Sequence, residues 1–144
     1  MNIENMLDSN KFGVNLLIFH TSYKRFVNVE LKQYDLNLIQ AICLSLIDKE
    51  TDINQKKLAD MLFLTKGAIT KAVNKLVDME LVCREKSGSD KRHYVLNTSE
   101  KGKTLLKSLN EIHTRWEEEM GLADLSENFE DTFKKLALKS TELI

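Results

Sequence analysis

The apolar spacing of this chain keeps to steps of three and four almost throughout and breaks once, after Leu81. That break restricts the fold to helices before it, a short pair of strands across it and helices after it. The chain has no proline, and its 5 glycines stand at positions 13, 67, 88, 102 and 121. No linker, repeat or low-complexity tract interrupts the pattern.

The first helix carries Phe12, Leu16, Phe19, Tyr23 and Phe26 on one stripe. The second carries Leu38, Ile39, Ile42, Leu46 and Ile47, opened by Asn37 with Gln40 three residues on as a capping box. A short third helix runs through Leu58, Ala59 and Leu62 from Asn54. After Leu62-Phe63-Leu64, Thr65 is expected to cap a fourth, with Leu64 stapled to Ile69 and Ile69, Val73, Leu76 and Val77 inward. Leu81–Lys86 and Arg92–Leu96 read as strands around the turn Ser87-Gly88-Ser89-Asp90. Ser99 then caps a long helix striped by Leu105, Leu109, Ile112 and Trp116. Ser126 caps the last, with Phe129, Phe133 and Leu136 expected inward. The expected fold class is mainly α with a small β-hairpin wing.

A length of 144 residues suits one domain with a proper core, and 42% hydrophobic with 30% charged residues is a globular composition. No apolar run reaches the roughly 18 residues of a membrane span, and the start MNIENMLDSN has no secretion pattern. Cys43 and Cys83 lie in apolar stretches with no disulfide or zinc spacing, so both are expected buried, in a cytoplasmic protein. The net charge of -1 hides an asymmetry. Residues 65–103 carry nine cations against five anions, whereas residues 104–144 carry five against nine. The basic block calls for an anionic partner of its own.

A short helix, a tight turn and a second helix form a helix-turn-helix, whose second helix enters the major groove of DNA. Thr65 opens that helix, and its outward residues are Lys66, Gly67, Thr70, Lys71, Asn74 and Lys75. Amides and hydroxyls read base edges, and ammoniums hold phosphates. Gly67 would let the helix start approach the DNA backbone. A merely solvated helix face has the same composition, and the hairpin tips the balance. It carries Arg84 and Lys86 on its first strand and Lys91 and Arg92 at its tip, where a guanidinium can enter a narrow minor groove. Asp90 is expected to pair with an arginine and shape the wing.

These pieces together resemble the MarR family of bacterial regulators. The resemblance is carried by Leu36-Asn37-Leu38-Ile39-Gln40, Gln55-Lys56-Lys57-Leu58-Ala59, Leu64 to Lys71, Asn74-Lys75-Leu76 and Leu81-Val82. It ends with Asp90-Lys91-Arg92 and Ser99-Glu100-Lys101-Gly102, and covers roughly residues 36–106. It implies a single winged helix-turn-helix domain over 1–144, with a DNA-binding lobe at 35–103 and dimerisation helices at 1–34 and 104–144. By resemblance Lys66, Thr70 and Lys71 belong to the recognition helix and Arg92 enters the minor groove. The protein is then a homodimer on a palindromic double-stranded operator, a repressor whose affinity a small effector modulates. Two positions depart from the family: Glu80 replaces the glycine before the first wing strand, and Thr98 an apolar residue before the cap. The first bears on the end of the fourth helix and the wing angle. The second is expected to loosen packing.

Family members respond to small aromatic ligands, thiol oxidation or zinc. The resemblance implies a cleft for a small aromatic ligand, and Phe12, Leu16, Phe19, His20 and Tyr23 are its candidate lining, although such stripes more often make core or dimer contacts. Cys83, beside Arg84, is the better redox candidate. The histidines at 20, 93 and 113 show no ligand spacing, so no metal or cofactor is expected. No phosphate loop, carboxylate pair or nucleophile elbow is present, so no catalytic residue is expected. The remaining alternative is a winged helix that binds protein instead of DNA.

Overall fold

The computed structural model describes residues 12–87 and 94–144. In chain order these form α1 (Phe12–Leu31), α2 (Leu38–Lys49), α3 (Gln55–Leu62), α4 (Lys66–Asp78), β1 (Val82–Lys86), β2 (Tyr94–Thr98), α5 (Glu100–Met120) and α6 (Phe129–Ser140). Single 3₁₀ turns cover Lys32–Tyr34, Leu122–Asp124 and Thr141–Leu143. The chain divides after Ile112 into two compact units.

Local chemistry sets the helix starts in the first unit. Asn37 and Gln40 form a reciprocal capping box on α2. Asn54 Oδ1 accepts from the Lys57 amide at 2.8 Å, and Thr65 Oγ1 from the Ala68 amide at 3.1 Å. Each partner satisfies an amide that the helix itself leaves unpaired. The core between these helices holds Val27 and Leu31 of α1, Leu44 and Ile47 of α2, Leu58 of α3 and Ile69, Val73 and Leu76 of α4. Leu81, Val82, Leu96, Leu106, Leu109 and Ile112 complete it. The Leu38 amide donates to Asn28 Oδ1 at 2.7 Å, tying α2 to α1.

The strands pair antiparallel with Val82 opposite Thr98 and Lys86 opposite Tyr94. The Leu96 amide donates to the Ile53 carbonyl at 2.9 Å, so the loop before α3 holds the outer edge of β2. At the root of the hairpin α4 ends in a Schellman motif. The Leu81 amide donates to the Leu76 carbonyl and the Glu80 amide to that of Val77, both at 2.9 Å. Glu80 takes the left-handed conformation, φ 60°, that glycine would occupy more easily. Glu80 thus supplies the left-handed ending that a glycine was expected to provide at this position. Ser99 Oγ donates to the Glu80 carbonyl at 2.6 Å and accepts from the Gly102 amide at 3.0 Å, capping α5 as expected. Lys101 Nζ reaches the Met79 carbonyl at 2.9 Å, a cation at the negative end of α4.

Five expectations need correction. Among the described residues the second strand is Tyr94–Thr98, running on two residues past Leu96, while Arg92 and His93 lie outside them. Cys83 is exposed, because strand alternation turns it away from the core that Val82 faces. Thr98 packs closely against Gly102, and its cost is a buried hydroxyl with no hydrogen-bond partner. Ser126 makes no side-chain cap: it accepts the Phe129 amide through its carbonyl, and α6 follows Asn128. Phe129, Phe133 and Leu136 are not inward, for α6 has no buried residue. A unit of residues 113–144 is too small to bury such a face within itself. The Phe129 and Phe133 rings stack on each other, centroids 6.0 Å apart. In α1 the apolar stripe divides: Tyr23 and Phe26 pack against the core, while Phe12 and Leu16 are 72% and 48% exposed.

Candidate nucleic-acid interface

The turn between α3 and α4 is closed by Phe63, in the left-handed region at φ 54°, with the Leu64 amide returning to the Ala59 carbonyl at 3.1 Å. That reversal lays α4 across α3 with Ile69, Ala72, Val73 and Leu76 buried beneath it. The helical period then leaves Lys66, Gly67, Lys71 and Asn74 exposed, with Thr70 and Lys75 half-buried beside them. A shallow open groove runs along this face, lined by those six residues with Gln40 and Asp78. A Cβ added at Gly67 would touch nothing within 4 Å, so the fold itself does not require glycine there.

A network of side chains links this face to its neighbours. Gln55, at the start of α3, donates through Nε2 to Thr70 Oγ1 at 3.0 Å. Arg84, on β1, donates to Gln55 Oε1 at 3.2 Å and also to Asn74 Oδ1. Lys75 pairs with Asp35, its Nζ 2.7 Å from the carboxylate. Lys66 and Lys71 reach outward, and Lys86 is exposed at the end of β1. Of the wing residues expected from sequence, Asp90, Lys91 and Arg92 lie outside the described residues.

Sequence reasoning placed Thr65, Lys66, Gly67, Thr70, Lys71, Asn74 and Lys75 on one surface, and the fold brings Arg84 to them. It missed the roles of Gln55 and Asp35. Gln55 is 15 residues from Thr70 and 29 from Arg84, and no local period reports such a meeting. The candidate cleft residues lie on one face of α1, with Phe12, Leu16 and His20 exposed and Phe19 and Tyr23 half-buried. Among the described residues no group of three or more His, Cys, Asp or Glu side chains is placed to hold a metal ion. No described helix is long and apolar enough to cross a membrane. Burial raises the Cys43 thiol to about 11.

A helix-turn-helix whose second helix has a buried back and a polar, cation-bearing front, followed by an antiparallel hairpin, is a winged helix-turn-helix. The MarR family profile matches residues 34–93. The HTH-type transcriptional regulator SarZ of Staphylococcus aureus (strain USA300) is 31% identical over 101 residues, 70% of this chain and 68% of its own. The chain belongs to the MarR family and is a transcriptional regulator, not an enzyme. Among solved structures, the transcriptional regulator BldR from Sulfolobus solfataricus is similar with a TM-score of 0.77 and 28% identity, covering 99% of both chains. The S. aureus MepR–DNA complex shares the fold, with a TM-score of 0.79 at 18% identity over 93% of this chain and 98% of that one.

Proposed function

We propose that this regulator is a cytoplasmic, sequence-specific repressor that grips a palindromic DNA operator as a homodimer. A small aromatic effector changes that grip. The observation that carries the reading is the front of α4, where Lys66, Gly67, Thr70, Lys71 and Asn74 form one polar face over a fully apolar back. Such a face suits the major groove, with lysines on phosphates and Thr70 and Asn74 at base edges. The open space beside Gly67 supports a close approach by the DNA backbone at the start of α4. Arg84 and Lys86 continue the positive charge toward the wing, where Arg92 takes the minor groove, Lys91 adds a second cation and Asp90 shapes the tip. The MepR relative was solved with DNA, which supports the same partner here.

The homodimer is supported by uncovered apolar groups. Phe12, Leu16 and Leu17 on α1 are exposed, as are Phe133, Leu136 and Leu138 on α6. Burying such groups between two copies is strongly favourable, and a two-fold dimer matches half-sites one helical turn apart. In this reading residues 1–34 and 104–144 dimerise, residues 35–103 bind DNA, and the face of Phe12, Leu16, Phe19, His20 and Tyr23 lines the effector cleft.

The test is fluorescence anisotropy on fragments tiling the gene's own upstream region, at low and moderate salt, beside Arg92→Ala. The expected result is one palindromic fragment bound with log affinity falling about 0.9 per contacted phosphate per decade of salt, and lost in the mutant. Binding that is salt-independent, or as tight with Arg92→Ala, overturns the reading in favour of a protein partner or another wing residue.

A further inference from the structure

The network behind α4 has a direction. Arginine carries donors and no acceptor, so the groups facing Arg84 must be the Oδ1 of Asn74 and the Oε1 of Gln55. Gln55 is left with its Nε2 for Thr70, whose oxygen accepts it at 3.0 Å. The hydroxyl hydrogen of Thr70 and the amide NH₂ of Asn74 are then what these side chains offer outward. Lys66 and Lys71, on the same face, are donors by nature. With one lone pair of each oxygen already engaged, the side chains of Lys66, Thr70, Lys71 and Asn74 are weighted toward donors.

We propose that this network biases Thr70 and Asn74 toward donating, so that α4 selects guanine over adenine at the bases beneath them. The inference rests on the operator-binding reading above and adds the base chemistry. In the major groove guanine presents two adjacent acceptors, N7 and O6, whereas adenine presents one acceptor and one donor. An asparagine that reads adenine uses its oxygen and its nitrogen together, and here Arg84 holds the oxygen. Gln55 is a positioning residue: it touches no base and sets the polarity of Thr70 from behind.

The experiment selects duplexes from a randomised pool with the full chain, then measures the winners by anisotropy. Two guanines per half-site are expected, and 7-deazaguanine, which lacks the N7 acceptor, should weaken binding about fivefold to tenfold at each. Gln55→Glu reverses the arrangement, since a carboxylate only accepts and draws the Thr70 hydrogen inward. The affinity ratio for guanine over adenine beneath Thr70 should then fall about tenfold, while the ratio beneath Asn74 is kept. If Gln55→Glu does not fold, Gln55→Met keeps the volume, frees Thr70 and should relax the same position alone. Adenine selected at either position, or an unchanged ratio in the Gln55 variants, overturns the proposal while leaving operator binding intact. A wild-type chain that enriches no sequence overturns the operator reading and this inference with it.

Discussion

The first turn of α5 passes so close to Leu81 that a Cβ on Gly102 would lie 2.3 Å from the Leu81 carbonyl oxygen. The same oxygen accepts the Ser99 amide at 3.0 Å, so it cannot retreat without breaking the join between β2 and α5. Gly102→Ala should therefore destabilise the protein by about 1–3 kcal/mol even though alanine favours a helix. Urea unfolding at fixed protein concentration reads this out, and an unmoved midpoint would mean the contact has slack.

Glu80 is held left-handed by both bonds of the Schellman motif and has an exposed side chain. Glu80→Gly removes the clash of Cβ with its own backbone, and should stabilise the fold by about 1 kcal/mol. For a chain of this size that is a rise in Tm of roughly 3–4 °C. A lower Tm would show that the side chain has a stabilising contact that outweighs the strain.

The buried hydroxyl of Thr98 lacks a partner, while its methyl packs against Gly102. Thr98→Val keeps the shape and removes the unpaired group, with an expected gain of about 1 kcal/mol in denaturant.

Gly67 separates stability from binding. Its added methyl meets open space in the free protein, so Gly67→Ala should stabilise α4 by about 0.5–1 kcal/mol. If the DNA backbone packs against the start of α4, the same methyl weakens operator affinity. Thermal melting and anisotropy moving in opposite directions is the expected pair of results. Equal or tighter binding would place the backbone elsewhere.

The two thiols should react differently. Cys83 is exposed and Cys43 buried, with its thiol raised from 9.0 to about 11. A thiol reagent at pH 8 should label one cysteine per native chain and two after unfolding. Because the unfolded thiol ionises first, the contribution of Cys43 to stability is whole below about pH 9 and is lost as pH rises from there toward 11. Cys43→Ala should flatten the stability profile across that alkaline window.

Much of this fold was legible because its punctuation is local. Asn37, Asn54, Thr65 and Ser99 each cap a helix by accepting from the amide three residues ahead, and sequence spacing records that directly. The outward face of α4 was legible for the same reason, since its period fixes which residues share a side. What spacing does not record is a meeting between elements. Gln55 gains its role from three segments coming together, and Asp35 from a loop meeting α4 across 40 residues. Cys83 was misplaced because a run of apolar neighbours hides the alternation of a strand. Phe129, Phe133 and Leu136 were misplaced because an apolar stripe tells that a face must be covered, not that the same chain covers it.

If the front of α4 is the DNA-binding face proposed above, the pairing of Lys75 with Asp35 has a consequence for discrimination between DNA sites. Asp35 is well exposed and Lys75 only half-buried, so solvent screens the pair and it contributes little to folding. Its carboxylate nevertheless stands at the edge of the surface a phosphate must approach. Any phosphate that claims Lys75 has to outbid a resident anion, which lowers the gain from indiscriminate contact with the backbone. A loose encounter is thus taxed, and the complex that survives is the one in which the base edges contribute as well.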